Sequence, residues 1–402
     1  MKIGLLIAAA SAALLSSVVS SAAYENAPGV SANEIKIGAT FPFSGPGSAL
    51  AAAGKGFIAY VNFLNDKGGI DGRRINLIAL DDAYSPPKAV EQTRRLIESD
   101  EVAFIFGQQG TPTNSATAKY LTAKKIPHLF IITGSSKFAN FKEYPYTTTG
   151  IPNYEGEGRI YAKYVLETLP TAKIAILYQN DDLGKDFLNA FKSEFKEDFG
   201  KKVIAESYEV TEPTIDSHVV SLKSTGAEVL FIGGTPKFAA QAIRKSHEIG
   251  WKALRIVNFA GSSIASSFRP AGLEASTGVI SATIAKDPMD PKSSADPGVK
   301  WFRDLLGKYA PGSDVSDLGY ITGINEGMLL EQVLKQCGND LSRENILKQA
   351  RSIKDLALPM TLPRVLINTN DNNNQAFTQL QLQRFNGTGW ESLGAVRSIS
   401  GE

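Results

Sequence analysis

Short β-branched runs alternate with longer segments of helical periodicity along almost the whole chain, and this alternation restricts the fold more than any other feature. After an irregular lead over 24–33, residues 35–40 read as a strand and 48–67 as a helix carrying Phe57, Ile58, Val61 and Leu64 on one face. Gly68-Gly69 ends that helix, Asp71-Gly72 turns into a strand over 75–80, and Pro86-Pro87 opens a helix running to Ser99. The cycle repeats with a strand over 102–106, a helix over 113–124 and a strand over 128–132. Strands that alternate with helices of this length predict a parallel, doubly wound sheet.

A second series starts after Thr147-Thr148-Thr149-Gly150. Helices over 154–167, 185–199, 217–224 and 237–249 alternate with strands over 173–178, 202–208, 229–232 and 255–259. The tail adds a strand over 278–283, helices over 298–309, 320–335 and 343–350, and the alternating run 378–382, which predicts a late strand with one solvated face. Pro288 and Pro291 make 286–291 a loop, and the polar run 368–374 is a loop as well. The fold class is therefore α/β, with two doubly wound parallel-sheet lobes. At about 380 residues after its leader, the chain is too long for one ordinary core, which points the same way.

Lys2, the apolar run from Ile3 to Leu15 and the small residues ending Ser20-Ser21-Ala22-Ala23 have the order of a secretory signal peptide over 1–23, cleaved after Ala23. The run is shorter than the roughly 20 residues needed to cross a bilayer. The single cysteine, Cys337, lies far from that point, so a lipid anchor at the cleavage site is not expected, and no intramolecular disulfide is possible. Cys337 reads as a half-buried packing residue. Basic and acidic residues nearly cancel, at 42 and 41, so no basic field exists to hold nucleic acid or an anionic membrane surface.

In open α/β sheets ligands lie outside the carboxyl ends of the strands. The loops there share a character: Phe41-Pro42-Phe43-Ser44-Gly45-Pro46, Gly107-Gln108-Gln109-Gly110-Thr111-Pro112-Thr113 and Thr133-Gly134-Ser135-Ser136 offer hydroxyls, amides and backbone N–H groups with almost no acid or base. The second of them runs into a helix, so its backbone donors and Thr111 can hold a carboxylate at the positive helix end. The competing reading is an ordinary N-cap with nothing bound. In the second series, Asp181 and Asp182 open a helix, where they either face a cleft or, as the leading reading, answer the helix dipole, while Gly233-Gly234-Thr235-Pro236 and Phe259-Ala260-Gly261-Ser262-Ser263 present small residues suited to enclosing a ligand.

Catalytic sets are missing from the sequence. His128, His218 and His247 stand beside no nucleophile arrangement. Gly54-x-Gly56-x-x-Ala59 lies inside a helical pattern and reads as helix packing, and Lys55 precedes Gly56, which excludes a Walker loop. Asp81-Asp82 lacks the surrounding ligands of a metal site. Asn386-Gly387-Thr388 is a turn. No cofactor or metal is expected, and the exported-hydrolase reading is the weakest of those considered.

Ile35-Lys36-Ile37-Gly38, Phe43-Ser44-Gly45-Pro46, Asn65-Asp66-Lys67-Gly68-Gly69-Ile70-Asp71-Gly72, Leu80-Asp81-Asp82, Ile174-Ala175-Ile176-Leu177-Tyr178, Gly184-Lys185-Asp186 and Thr235-Pro236-Lys237-Phe238-Ala239-Ala240-Gln241 together resemble the leucine/isoleucine/valine-type periplasmic binding proteins of ABC importers. The resemblance covers nearly the whole mature chain. It implies a type I periplasmic-binding fold with three interlobe crossovers near Gly150, Ala282 and Gln375. The lobes would then be 34–150 plus 283–375 and 151–282 plus 376–402, and a monomer in the periplasm would deliver one small-molecule carboxylate to an inner-membrane permease. A ligand-sensing receptor subunit with the same fold is the alternative.

Carried onto this sequence, the resemblance places the carboxylate on Gln109, Gly110 and Thr111 and on Thr133, Gly134, Ser135 and Ser136. It adds Phe43, Tyr154, Asp182, Thr235, Phe259 and Ala260 as ligand-binding positions, with Phe41, Phe43, Tyr154 and Phe259 as apolar walls. Two departures stand out. Ala260 occupies the place of the acid that neutralises a ligand ammonium, and Thr235 that of an aromatic hydroxyl. Either Asp181, Asp182 or Glu155 takes over, or the ligand has no ammonium; the second option is preferred, since a buried ammonium without a charged partner costs several kcal/mol. The family's disulfide between the loops after the second and third strands is replaced here by Tyr84 and Gly110.

Overall fold

The computed structural model describes residues 26–399, so the expected export segment lies outside the described residues. The first sheet has the order β2-β1-β3-β4-β5, built from β1 (Glu34–Phe41), β2 (Arg74–Asp81), β3 (Ile105–Phe106), β4 (His128–Ile131) and β5 (Thr147–Thr149), all parallel. Ile35 pairs with Ile75 and Ile37 with Leu77; Ile35, Ile37 and Ile75 are buried in one core, and the half-buried Leu77 packs against it. Helices α1 (Ala51–Asp66), α2 (Pro86–Glu98) and α3 (Thr111–Ala123) connect these strands.

The second sheet repeats the order. Strands β6 (Ile174–Gln179), β7 (Val203–Tyr208), β8 (Val229–Gly233), β9 (Leu254–Val257) and β10 (Ile280–Thr283) run β7-β6-β8-β9-β10, with the antiparallel pair β11 (Gln379–Phe385) and β12 (Trp390–Ser398) added beyond β10. Helices α4 (Tyr154–Thr168) and α5 (Asp182–Phe195) pack together, and Asp216–Ser224 and Pro236–Glu248 complete the series.

The chain crosses between the sheets three times. It leaves β5 for α4; after β10 it returns to lay Pro297–Tyr309, Leu318–Cys337 and Arg343–Ala350 beside the first sheet; finally Gln375 bridges Thr149 before β11 joins β10. The long helix Leu318–Cys337 packs on α1 at backbone distance. A Cβ on Gly323 would lie 1.9 Å from the Ala53 carbonyl oxygen, and one on Gly56 2.7 Å from that of Tyr320. Gly56 of the Gly54-x-Gly56 pattern thus serves helix packing, whereas Gly54 lies against the rings of Phe41 and Phe43.

Several expected elements shift. The strand expected over 102–106 forms a regular ladder only at Ile105–Phe106, because Ala103 and Phe104 make single bonds to β1. Helix α5 begins at Asp182 because Asp181 caps it, accepting from Leu183 N and Gly184 N. Strands β5 and β12 carry no alternation that periodicity could detect: β5 is three buried threonines, and β12 is an edge strand interrupted by Gly394. Cys337 is buried, and burial pushes its thiol up to about 12.

Candidate functional site

The loop after β3 is held by its own side chains. Thr113 Oγ1 donates to the carbonyls of Gln109 (2.8 Å) and Gly110 (3.1 Å), and Asn114 Nδ2 donates to those of Gln108 (3.0 Å) and Gly110 (2.7 Å). Gly110 stands at φ 111, a backbone state that side chains resist, and no side chain caps α3. The hydroxyls therefore do not act as N-caps. Thr111 Oγ1 instead lies 2.9 Å from Thr133 Oγ1 and 3.3 Å from the hydroxyl of Tyr154, the first residue of α4. Tyr154 N donates to the Gly134 carbonyl at 2.8 Å, and a Cβ on Gly134 would fall 2.1 Å from the Pro152 carbonyl oxygen. Burial pushes the Tyr154 hydroxyl up to about 12 despite its bond to Thr111, so it remains a neutral donor.

The loop after β2 reaches the same place. Asp81 accepts from Ser44 N (3.1 Å), Ser44 Oγ (2.6 Å) and Ala83 N (2.9 Å), and Asp82 accepts from Thr40 Oγ1 (2.6 Å) and Tyr84 N (2.8 Å). These bonds hold Ala83 and Tyr84 at φ 53 and 57, both left-handed. The Tyr84 ring is thereby set against Gly110, where a Cβ would stand 3.0 Å from Tyr84 Cε2. The two positions that the resemblance pairs through a disulfide are thus neighbours here, joined by packing. The Tyr84 hydroxyl accepts from Gln179 Nε2 (3.3 Å) at the end of β6.

Acids of the second sheet face donors of the first. Asp182 Oδ2 accepts from Ser115 Oγ and Lys137 Nζ, both at 2.8 Å. Burial opposes ionisation of Asp182, yet the bonds from Lys137 and Ser115 outweigh it and hold the carboxyl below the usual range. Asp186 accepts from Ser136 N (2.7 Å) and Ser136 Oγ (2.6 Å), while burial pushes it up to about 6. Asp181 caps α5 and accepts from Gln179 Nε2 (2.5 Å); burial pushes it, too, up to about 6. Glu157 on α4 accepts from Tyr161 OH (2.7 Å) and from Phe259 N (2.5 Å), fixing the loop after β9, and burial pushes it up to about 7.

Between the sheets lies a narrow cavity of about 40 Å³, within about 410 Å³ of unfilled space that includes the solvent at its mouth. Leu50, Ala53, Ile132, Ile151, Phe259 and Leu318 give it an apolar wall, and Gln109, Ala260, Ser263, Ser266 and Asp317 also border it. Of the sequence-derived positions, Gln109, Phe259 and Ala260 meet at this cavity. Gly110, Thr111, Thr133, Gly134 and Tyr154 meet next to it in direct contact between the sheets. Thr235 stands at the N-cap position of Pro236–Glu248, buried and without a side-chain capping bond. Ser136 and Asp182 bond across the sheets to Asp186 and to Ser115 and Lys137. Phe43 lies 5.5 Å from Phe41 in the core packing and does not border the cavity; Phe41 is fully buried.

The sequence reading gave no site role to Tyr84, Gln179, Asp186 or Asp317, and it named Ser263 only as part of the loop after β9. Tyr84, Gln179 and Ser263 sit in loops or at ends just after strands, where the rule about strand carboxyl ends could have found them. Asp186 lies one turn into α5, and Asp317 caps a helix of the tail, so no local signal marks either. Four buried side-chain atoms in these loops, Gln109 Oε1, Ser135 Oγ, Gln179 Oε1 and Thr235 Oγ1, have no hydrogen-bond partner among the described residues. Among the described residues, no group of three or more His, Cys, Asp or Glu could hold a metal ion, and no helix is long and apolar enough to cross a membrane.

A family model described as periplasmic binding protein matches residues 34–389. The "Leu/Ile/Val-binding protein homolog 3" of Brucella melitensis biotype 1 is 28% identical over 223 residues, which cover 55% of this chain and 60% of the relative, less than two thirds of its length. Two solved structures share the fold. A branched-chain amino acid ABC transporter protein from Thermus thermophilus with bound valine has a TM-score of 0.81 at 12% identity, covering 92% of this chain and 97% of its own. A fatty acid ABC transporter substrate-binding protein from Thermomonospora curvata has a TM-score of 0.78 at 19% identity, covering 93% and 95%. The matched span, the paired 2-1-3-4-5 sheets and the cleft between them lead to one conclusion: the chain belongs to the periplasmic binding protein family, as a Leu/Ile/Val-binding-protein-like member of the type I fold.

Proposed function

We propose that this solute-binding protein captures a small carboxylate-bearing ligand with an apolar or aromatic body in the interlobe cleft, and presents the closed form to an inner-membrane ABC permease. The first lobe is taken as 34–150 plus 283–375 and the second as 151–282 plus 376–402. Closure of one on the other is driven by the ligand's greater affinity for the closed state. The observation that carries this reading is the pair of buried, unpartnered hydroxyls on strand-end loops of the two sheets, Ser135 Oγ and Thr235 Oγ1, which can donate to a carboxylate, together with the apolar cavity that Gln109 borders. An unsatisfied buried polar atom costs about 1–3 kcal/mol, so such a cleft favours a guest that brings polar groups. A handful of charge-assisted bonds at about 1.5–3 kcal/mol each reaches micromolar affinity, about 8 kcal/mol.

The three acids that could neutralise a ligand ammonium are engaged within the protein. Asp181 caps α5, Asp182 bonds Lys137 and Ser115, and Glu155 lies 3.3 Å from Arg159. This favours an acid without an α-ammonium. The Thermomonospora relative, described as a fatty acid binder, is consistent with that choice, whereas the valine-bound Thermus protein shows that the fold alone does not make it. A calorimetric and thermal-shift screen of phenylacetate, hexanoate, leucine and valine tests the reading. Stabilisation by phenylacetate or hexanoate is expected. Stabilisation by leucine and valine but by neither acid would overturn it.

A further inference from the structure

On the side where Ser263 and Leu318 line the cavity, three side chains form a polar group across the lobes as taken above, Asp317 from the first and Ser263 and Ser266 from the second. Asp317 Oδ1 accepts from Gly319 N (3.0 Å), capping the helix Leu318–Cys337, and from Ser263 Oγ (3.1 Å). Its other oxygen, Oδ2, receives no hydrogen bond from a described protein group, and Asp317 makes no ion pair within 4.0 Å among the described residues. Ser263 Oγ also accepts from Ser266 N at 3.2 Å, and Ser266 Oγ is buried with no partner. All three residues border the cavity. Ser263 and Leu318 are also the wall it shares with an adjoining cavity lined by Thr283, Gln383 and Trp390, so space continues past this point.

Capping alone does not account for an aspartate here. Asn and Ser cap a helix about as well as Asp, and Asp317 uses one oxygen for that task. The second oxygen adds a negative charge at a mostly buried position that the cap does not use. A carboxylate oxygen accepts and cannot donate, and a serine hydroxyl can accept as well, so the group complements a donor on the guest. One carboxylate and two hydroxyls do not make a cation site; the described residues hold no such cluster.

We propose that Ser263, Ser266 and Asp317 form a distal subsite that takes a hydrogen-bond donor, a hydroxyl or an amine, at the end of the ligand opposite its carboxylate. The proposal rests on the carboxylate reading given above and sharpens it. The ligand is then bifunctional: a carboxylate on the strand-end loops, an apolar middle against Ile132, Ile151 and Phe259, and a donor against Asp317. Selectivity follows from the asymmetry of unpaired groups, since a guest that lacks the donor leaves the acceptor desolvated.

The test uses matched probes: phenylacetate against 4-hydroxyphenylacetate, and hexanoate against 6-hydroxyhexanoate and 6-aminohexanoate, each titrated calorimetrically into the mature protein. The donor-bearing member of at least one pair is expected to bind about tenfold tighter or better. Asp317→Asn keeps an Oδ1 for the cap but turns the other acceptor into a donor, and it should reduce that preference to about threefold or less. Ser266→Ala should reduce it by a smaller factor and covers the case in which Asp317→Asn does not fold. Binding of the acids with no preference in the native protein would overturn the subsite alone, as would a preference that survives both substitutions. Binding of none of the five probes would overturn the carboxylate reading and this subsite with it.

Discussion

The two sheets share one strand order, 2-1-3-4-5, yet the loops after β3 and β4 of the first and the loop after β6 of the second are chemically opposite. Those of the first sheet carry Thr111, Thr133, Ser135 and Ser136 with backbone amides, and Lys137 beside them. Those of the second carry Asp181 and Asp182, with Asp186 one turn on. In space the acids answer the donors: Asp182 meets Ser115 and Lys137, and Asp186 meets both the N–H and the hydroxyl of Ser136. The second lobe's charge therefore works between the two sheets as a latch, while Thr111 bonds Thr133 and Tyr154 and only the Ser135 hydroxyl of this set has no partner among the described residues. A duplicated topology sets where loops emerge; the residues on them decide whether a loop binds a guest or the other lobe.

The strongest way to break this comparison is steric. Gly134→Ala puts a methyl group 2.1 Å from the Pro152 carbonyl oxygen and 2.7 Å from the Tyr154 ring, where backbone cannot yield. The variant is expected to lose ligand-induced stabilisation altogether and to melt several degrees lower in calorimetry. An unchanged ligand response would show that the first-lobe loops need not meet Tyr154.

Next in size is the charge buried in the second lobe. Glu157 has its pKa raised from the ordinary 4.5 to about 7, so the folded state holds a proton that the unfolded chain has already released. Its stabilising protonation is complete below about pH 4.5 and is lost as pH rises to about 7. Glu157→Gln keeps an acceptor for Tyr161 and Phe259 N without this titration. Between pH 4.5 and 7 the native protein should lose stability relative to Glu157→Gln by an amount on the order of 1–3 kcal/mol. Asp181 and Asp186, also pushed up to about 6, slope the same way in both proteins, so the difference between them reports Glu157. Parallel pH profiles of Tm would disprove the assignment.

The donor side is sharpened by Thr111→Val and Ser135→Ala. Each should weaken phenylacetate or hexanoate binding about 10- to 150-fold, the value of one hydrogen bond to a charged group, with Tm nearly unchanged in Ser135→Ala and lowered in Thr111→Val, which removes a buried partner of Thr133 and Tyr154. Equal affinity would mean that the carboxylate sits elsewhere. The smallest effect is expected at the latch. Asp182 is partly exposed, and pairs of that kind contribute about 0–1 kcal/mol, so Asp182→Asn should raise the dissociation rate no more than about fivefold. A larger change would move Asp182 from latch to ligand site.

Much of the fold was legible because periodicity is local. The alternation of β-branched runs with amphipathic helices identified two parallel αβ series, and Gly54-x-Gly56 inside a helical pattern was read as packing. The failures have physical causes. Strand β5 is three threonines with no alternating neighbours, β12 is an irregular edge, and Asp181 moved the start of α5 by capping it. Within the site, the loop of Gln109 to Thr111 and that of Thr133 to Ser136 could be named from their place after strands. Phe43 could not be told from a core residue, because an aromatic side chain beside a strand end suits either role.

The sequence by itself determined the class of architecture, the absence of a disulfide and the polar, acid-poor character of the first-lobe loops, since each follows from composition or from contacts close along the chain. Only the tertiary structure decided which polar groups satisfy one another and which remain. Tyr84 meets Gln179 across 95 positions, and Asp317 meets Ser263 across 54. Pairings at such separations depend on how two lobes and three crossovers bring distant loops together, and no local pattern encodes them.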